Sequence, residues 1–116
     1  MHLKAIKKSD KTMEEMFIIL TESYSQEGDQ WVGICEELGV SQFGDTYEEA
    51  KEHLKEAVFI HLNTLEELGE RERFFKENDI KVYKPDDEEI TTRRATFAPN
   101  TTRVEQYKQN LERSFV

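Results

Sequence analysis

Asp45, Glu48 and Glu49 place three carboxylates in the stretch GDTYEEA, which runs from Gly44 to Ala50. Clustered carboxylates are the usual material of divalent-metal sites and of general acid–base pairs. The same spacing has a second reading. Thr46 followed three residues later by Glu49 is the capping-box pattern. The threonine hydroxyl would accept from the N–H of Glu49, and the Glu49 carboxylate would reach back to the N–H of Thr46. Asp45 and Glu48 would then lie near the positive end of a helix dipole. A catalytic carboxylate pair needs a pKa raised by burial, which the first turn of an exposed helix does not offer. Helix capping by Thr46 and Glu49 is therefore the expectation.

The other reactive residue types are sparse. The histidines are His2, His53 and His61. On a helix, His53 and His61 would be about 12 Å apart along the axis, too far to share one metal. No histidine pair at i, i+4 flanks a glutamate, as a zinc protease requires. His53 reads as a surface residue and His61 as a packed one at the edge of an apolar stripe. Cys35 is the single cysteine, which excludes an intramolecular disulfide and a zinc site built from thiolates. A buried, inert thiol is expected there. No nucleophile elbow, phosphate-binding glycine loop or dinucleotide fingerprint is present. The residues thus point to a non-enzymatic protein with no catalytic centre, metal or cofactor.

The elements that must carry these residues follow from hydrophobic period. FIILTESYS, from Phe17, and WVGICEEL, from Trp31 to Leu38, read as strands joined by the turn residues Gly28 and Asp29. Val32 and Ile34 share one face, and Trp31, Gly33 and Cys35 the other. VSQFGD is a short third strand. From Tyr47 to Leu68 the period changes to about 3.6, with Ala50, Leu54, Ala57, Val58, Leu62, Leu65 and Leu68 on one stripe. Gly69 fits the position after the last turn. A short helical turn through Phe74 and Phe75 and a fourth strand at 80–84 precede Pro85. Residues 91–97 read as an edge strand. Val104, Tyr107, Leu111 and Phe115 have the spacing of a short amphipathic helix. The fold class expected is α+β, in two layers: a three-stranded antiparallel sheet plus a fourth strand, packed on one long helix. The chain divides into a polar arm at 1–16, an α+β domain at 17–85, and an acidic linker with a basic appendage at 86–116.

Charge narrows the partners. The net charge is −9 over 116 residues. Residues 1–90 carry 11 basic and 23 acidic groups, or −12, and residues 91–116 carry 5 and 2, or +3. An acidic body repels phosphate backbones and suits a basic partner. No run approaches the roughly 20 apolar residues of a membrane span, and the start lacks the apolar core of a secretory signal, so a cytoplasmic protein is expected. Two surfaces stand out. Glu27 and Asp29 form an acidic hairpin tip beside Trp31, a candidate docking site for a basic protein. Arg93, Arg94, Arg103, Lys108 and Arg113 form a basic tail that could contact nucleic acid or mediate self-association.

The segment WVGICEELGVSQFGDTYEEAKEHLKEAVFIHLNTLEELGE, residues 31–70, resembles the antitoxin domain of the HicB family. The carriers are the strand from Trp31 to Glu36, with its cysteine before an acidic residue, the helix start from Gly44 to Ala50, and Lys55 to Ala57 one turn on. The resemblance covers roughly 17–84. It departs where the usual Leu-Pro-Gly is reduced to Leu38-Gly39, and where His53 stands at a position often held by asparagine. It implies a partial ribonuclease-H-like fold without that fold's catalytic acids. It also implies a homo-oligomer that binds and neutralises a small basic RNA-cleaving toxin of the HicA family, with autoregulation. The competing expectations are a nucleic-acid-binding regulator that uses the basic tail, a solitary relative with another role, and a small nuclease built on Asp45, Glu48 and Glu49.

Overall fold

The alternating segment that opens at Phe17 is the spine of one sheet. A computed structural model describes residues 16–85 and 100–111. Strand β1 (Phe17–Glu27) pairs on one side with β2 (Gln30–Cys35) and on the other with β4 (Thr101–Asn110), and β3 (Val40–Gly44) lies outside β2. All three pairings are antiparallel. Helix α1 (Tyr47–Glu67) packs over β2 and β3, and the short α2 (Arg71–Glu77) follows it. The architecture is the expected two-layer α+β arrangement.

The β1–β2 turn contains only Gly28 and Asp29, and Gly28 has φ +64°, a conformation glycine adopts without a side-chain clash. The register sets Trp31, Gly33 and Cys35 opposite Gln26, Tyr24 and Glu22, so these six share the face toward α1. Ile18, Leu20, Tyr24, Cys35, Leu54 and Leu62 are fully enclosed there. This interface is the core.

Two expectations change. The apolar spacing from Val104 onward suggested a helix, but 101–110 is strand β4. That spacing rests on four apolar residues, Val104, Tyr107, Leu111 and Phe115, and does not weigh the β-branched start Thr101-Thr102-Arg103-Val104. Pairing with β1 also provides ladder partners for β1's second edge, which the core would otherwise leave unpaired. The segment 80–84 is not a regular strand. It makes one bridge, in which Phe17 N–H donates to the Tyr83 carbonyl (3.0 Å) and Tyr83 N–H to that of Phe17 (2.8 Å). The sheet's fourth strand therefore comes from the C-terminal segment. The arm at 1–15, the strand expected at 91–97, and Arg93, Arg94 and Arg113 lie outside the described residues.

Because β2 stops at Cys35, β1 needs another partner at Thr21. The loop supplies it: Glu36 N–H donates to the Thr21 carbonyl (2.9 Å), and the Glu37 carboxylate accepts from the Thr21 N–H (2.6 Å) and hydroxyl (2.7 Å). Glu37 is buried, so these bonds replace its lost hydration.

Helix α1 begins as its sequence suggests, with one difference. The Thr46 hydroxyl accepts from Glu49 N–H (3.1 Å), whereas the Glu49 carboxylate reaches the N–H of Asp45 (3.3 Å) rather than that of Thr46. At the other end Gly69 has φ +66°. Its N–H donates to the Glu66 carbonyl, and that of Glu70 to the Leu65 carbonyl, the paired bonds of a Schellman ending. Thr46→Ala is expected to cost about 1 kcal/mol, read as a lowered midpoint in urea unfolding with an unchanged slope.

Candidate partner-binding groove

The three carboxylates that opened the sequence question serve mainly to begin α1. Asp45, Glu48 and Glu49 are all exposed, and Glu49 is engaged in the cap. Among the described residues no group of three or more His, Cys, Asp or Glu side chains is placed to hold a metal ion. His53 ties α1 to β3, its Nδ1 donating to the Phe43 carbonyl (2.7 Å). His61 is half-buried and meets Phe74 edge-on at 5.2 Å, and burial pushes its pKa down. Cys35 is fully enclosed, and burial pushes its thiol up to about 12.

The hairpin tip is divided by the register. Glu27 and Asp29 are exposed, but Trp31 turns to the helix side, where its ring meets that of Tyr47 edge-on at 5.8 Å. The described cations of the tail lie against the domain's own aromatics. The Arg103 guanidinium sits 4.0 Å from the Tyr47 ring centroid, and Lys108 Nζ 4.8 Å from that of Phe17.

The most distinctive constellation includes residues that sequence reasoning did not single out. On β1, Glu22 occupies the inward row between Leu20 and Tyr24 and is only 4% exposed. Tyr24 donates its hydroxyl to Glu22 Oε1 (2.7 Å), and Tyr107 on β4 donates to Oε2 (2.8 Å). Directly across the β1–β4 ladder stands Glu105, a second carboxylate on the same face. Glu105 is held by Lys51 of α1 (2.8 Å) and by the Tyr47 hydroxyl. Lys51, and then Tyr47, keep the Glu105 carboxyl below its ordinary pKa, and Glu105 raises that of Lys51. No described cation forms an ion pair with Glu22.

These groups line a groove of about 1090 Å³. It exists because α1 covers β2 and β3, while β4 lies beyond β1 on the far side. One wall is α1, with Glu48, Glu52, Glu56 and Phe59. The other is β4, with Glu105, Tyr107 and Gln109, and Glu22 also lines the space. Five carboxylates (Glu22, Glu48, Glu52, Glu56, Glu105) face two lysines, Lys51 and Lys55. Apolar surface is interleaved with them: Phe59 is 41% and Ile60 62% exposed. Acidic side chains around partly exposed aromatic and aliphatic groups make a surface that can take a basic, amphipathic segment. No helix of the described residues is long and apolar enough to cross a membrane. No family model, no curated protein and no solved structure matches this chain.

Proposed function

We propose that this chain is a non-catalytic binding protein that captures a small basic protein through the groove beside α1. Its resemblance to HicB-like antitoxins from Trp31 to Glu70 makes a small RNA-cleaving toxin of the HicA kind the candidate partner, with neutralisation as the outcome. The observation that carries this reading is the groove, with five carboxylates against two lysines around exposed Phe59 and Ile60. The −12 carried by residues 1–90 would steer a basic partner toward it. Placement of Arg103 and Lys108 over Tyr47 and Phe17 favours this reading over nucleic-acid capture by the tail. The sheet's outer face carries Ile34, Phe43 and Val104, all exposed, a patch suited to self-association into a homo-oligomer, with autoregulation as a further role.

The test is co-expression with a small basic RNA-cleaving toxin of the HicA kind. The proposal expects co-purification and rescue of cells from that protein's toxicity. A chain that neither binds nor rescues refutes it.

A further inference from the structure

Glu22 is a problem for stability that the described residues leave open. A buried carboxylate normally has a cation, or enough hydrogen bonds to replace its hydration. Glu22 has two tyrosine hydroxyls and no ion pair among the described residues, and Glu105 faces it across the ladder. Like charges directly opposite on one face of a sheet repel. Lys51 compensates Glu105, and no described cation pairs with Glu22. Each Glu22 oxygen accepts one hydroxyl and retains capacity for another donor.

We propose that the groove seats its basic protein partner by one arginine side chain, which reaches the Glu22 carboxylate between Tyr107 and the Lys51–Glu105 pair. This rests on the reading that the groove takes a basic partner, and it names the anchor. A guanidinium fork offers two parallel N–H groups to the two carboxylate oxygens, which a lysine ammonium cannot do. The same neighbourhood already accepts a guanidinium face, since Arg103 stacks at 4.0 Å on Tyr47. Phe59 and Ile60 on the α1 wall would cover the apolar stem and its neighbours.

Isothermal titration of the full chain with hexa-arginine, hexalysine and spermine reads the proposal. Hexa-arginine is expected to bind more tightly than the other two. Glu22→Gln should weaken it by about tenfold or more, as for loss of a buried charge partner. Glu67→Gln is the control: it removes the same charge from the far end of α1, outside the groove, and should change affinity by less than about twofold. Equal losses in the two variants, or equal binding of hexalysine or spermine, overturn the arginine anchor. If Glu22→Gln does not fold, the unmodified protein still decides. The Glu22 side-chain carboxyl resonance should move on adding hexa-arginine, and an unmoved resonance overturns the proposal. Failure of the anchor with toxin binding intact would leave the basic-partner reading standing. Loss of toxin binding by the unmodified chain would remove that reading instead.

Discussion

Gly44→Ala is expected to lower stability by about 3 kcal/mol, at the upper end of the cost of adding a methyl group to a packed site. A Cβ on Gly44 would stand 2.3 Å from the backbone nitrogen of Ala50 and 2.8 Å from its Cα, with the Glu49 carbonyl carbon also at 2.8 Å. All three are backbone atoms of the first turns of α1, so no rotamer change relieves the contact. The helix would have to lift from β3, which would disturb the Thr46 cap and the burial of Ala50. Gly33→Ala is the comparison. Its Cβ would meet Tyr24 Cε1 at 2.6 Å and Leu54 Cδ2 at 3.2 Å, atoms of side chains that can shift, so the cost should be smaller, about 1–2 kcal/mol. Urea unfolding followed by Trp31 fluorescence measures both. A Gly44→Ala cost below that of Gly33→Ala would contradict this account of the helix start. It also assigns the glycine of the GDT motif a physical role: β3 runs directly into the underside of the helix it precedes.

Stability is also expected to collapse at alkaline pH. Cys35 is pushed up to about 12 chiefly by burial, and burial also raises Tyr24 and Tyr107 above their ordinary value of 10. In the unfolded chain the thiol ionises near pH 9 and the phenols near pH 10, while in the fold all three stay protonated. The folded state then binds more protons than the unfolded state, so stability is fully present below about pH 9 and falls as pH rises. Cys35 alone removes about 1.4 kcal/mol per pH unit between its two values, or about 4 kcal/mol in all. Melting temperatures from pH 8 to 11 check this. Cys35→Ala should move the onset of the loss upward, toward the range where the tyrosines ionise. A flat melting temperature to pH 11 would contradict it. The same burial predicts that thiol reagents modify Cys35 only after unfolding.

The legible parts of this fold are those set by local rules. Period two placed Trp31 and Val32 on opposite faces of β2, period 3.6 predicted the buried stripe of α1, and Thr46, Glu49 and Gly69 marked its ends. The missed parts depend on contacts distant in sequence. Strand β4 pairs with β1 across more than seventy residues, and nothing local in TTRVEQYKQN announces that partner. Segment 80–84 has a strand's composition, but Tyr83 alone bridges β1, through Phe17. The groove was hidden for the same reason, since Glu105 and Tyr107 reach Glu22 only through β4. One signal was available. Ile18, Leu20, Glu22 and Tyr24 form an alternating row in which a carboxylate takes an apolar position, and that is the mark of a buried charge with work to do.

The proposed capture of a basic protein in the groove beside α1 can be located residue by residue. Backbone amide chemical-shift mapping of the labelled chain, on adding a small basic toxin of the HicA kind, is the direct test. Shifts are expected at Glu22, along α1 from Glu48 to Ile60, and at Glu105 and Tyr107 of β4. Shifts confined to the hairpin tip at Glu27 and Asp29, or to the outer sheet face at Ile34 and Phe43, would contradict it.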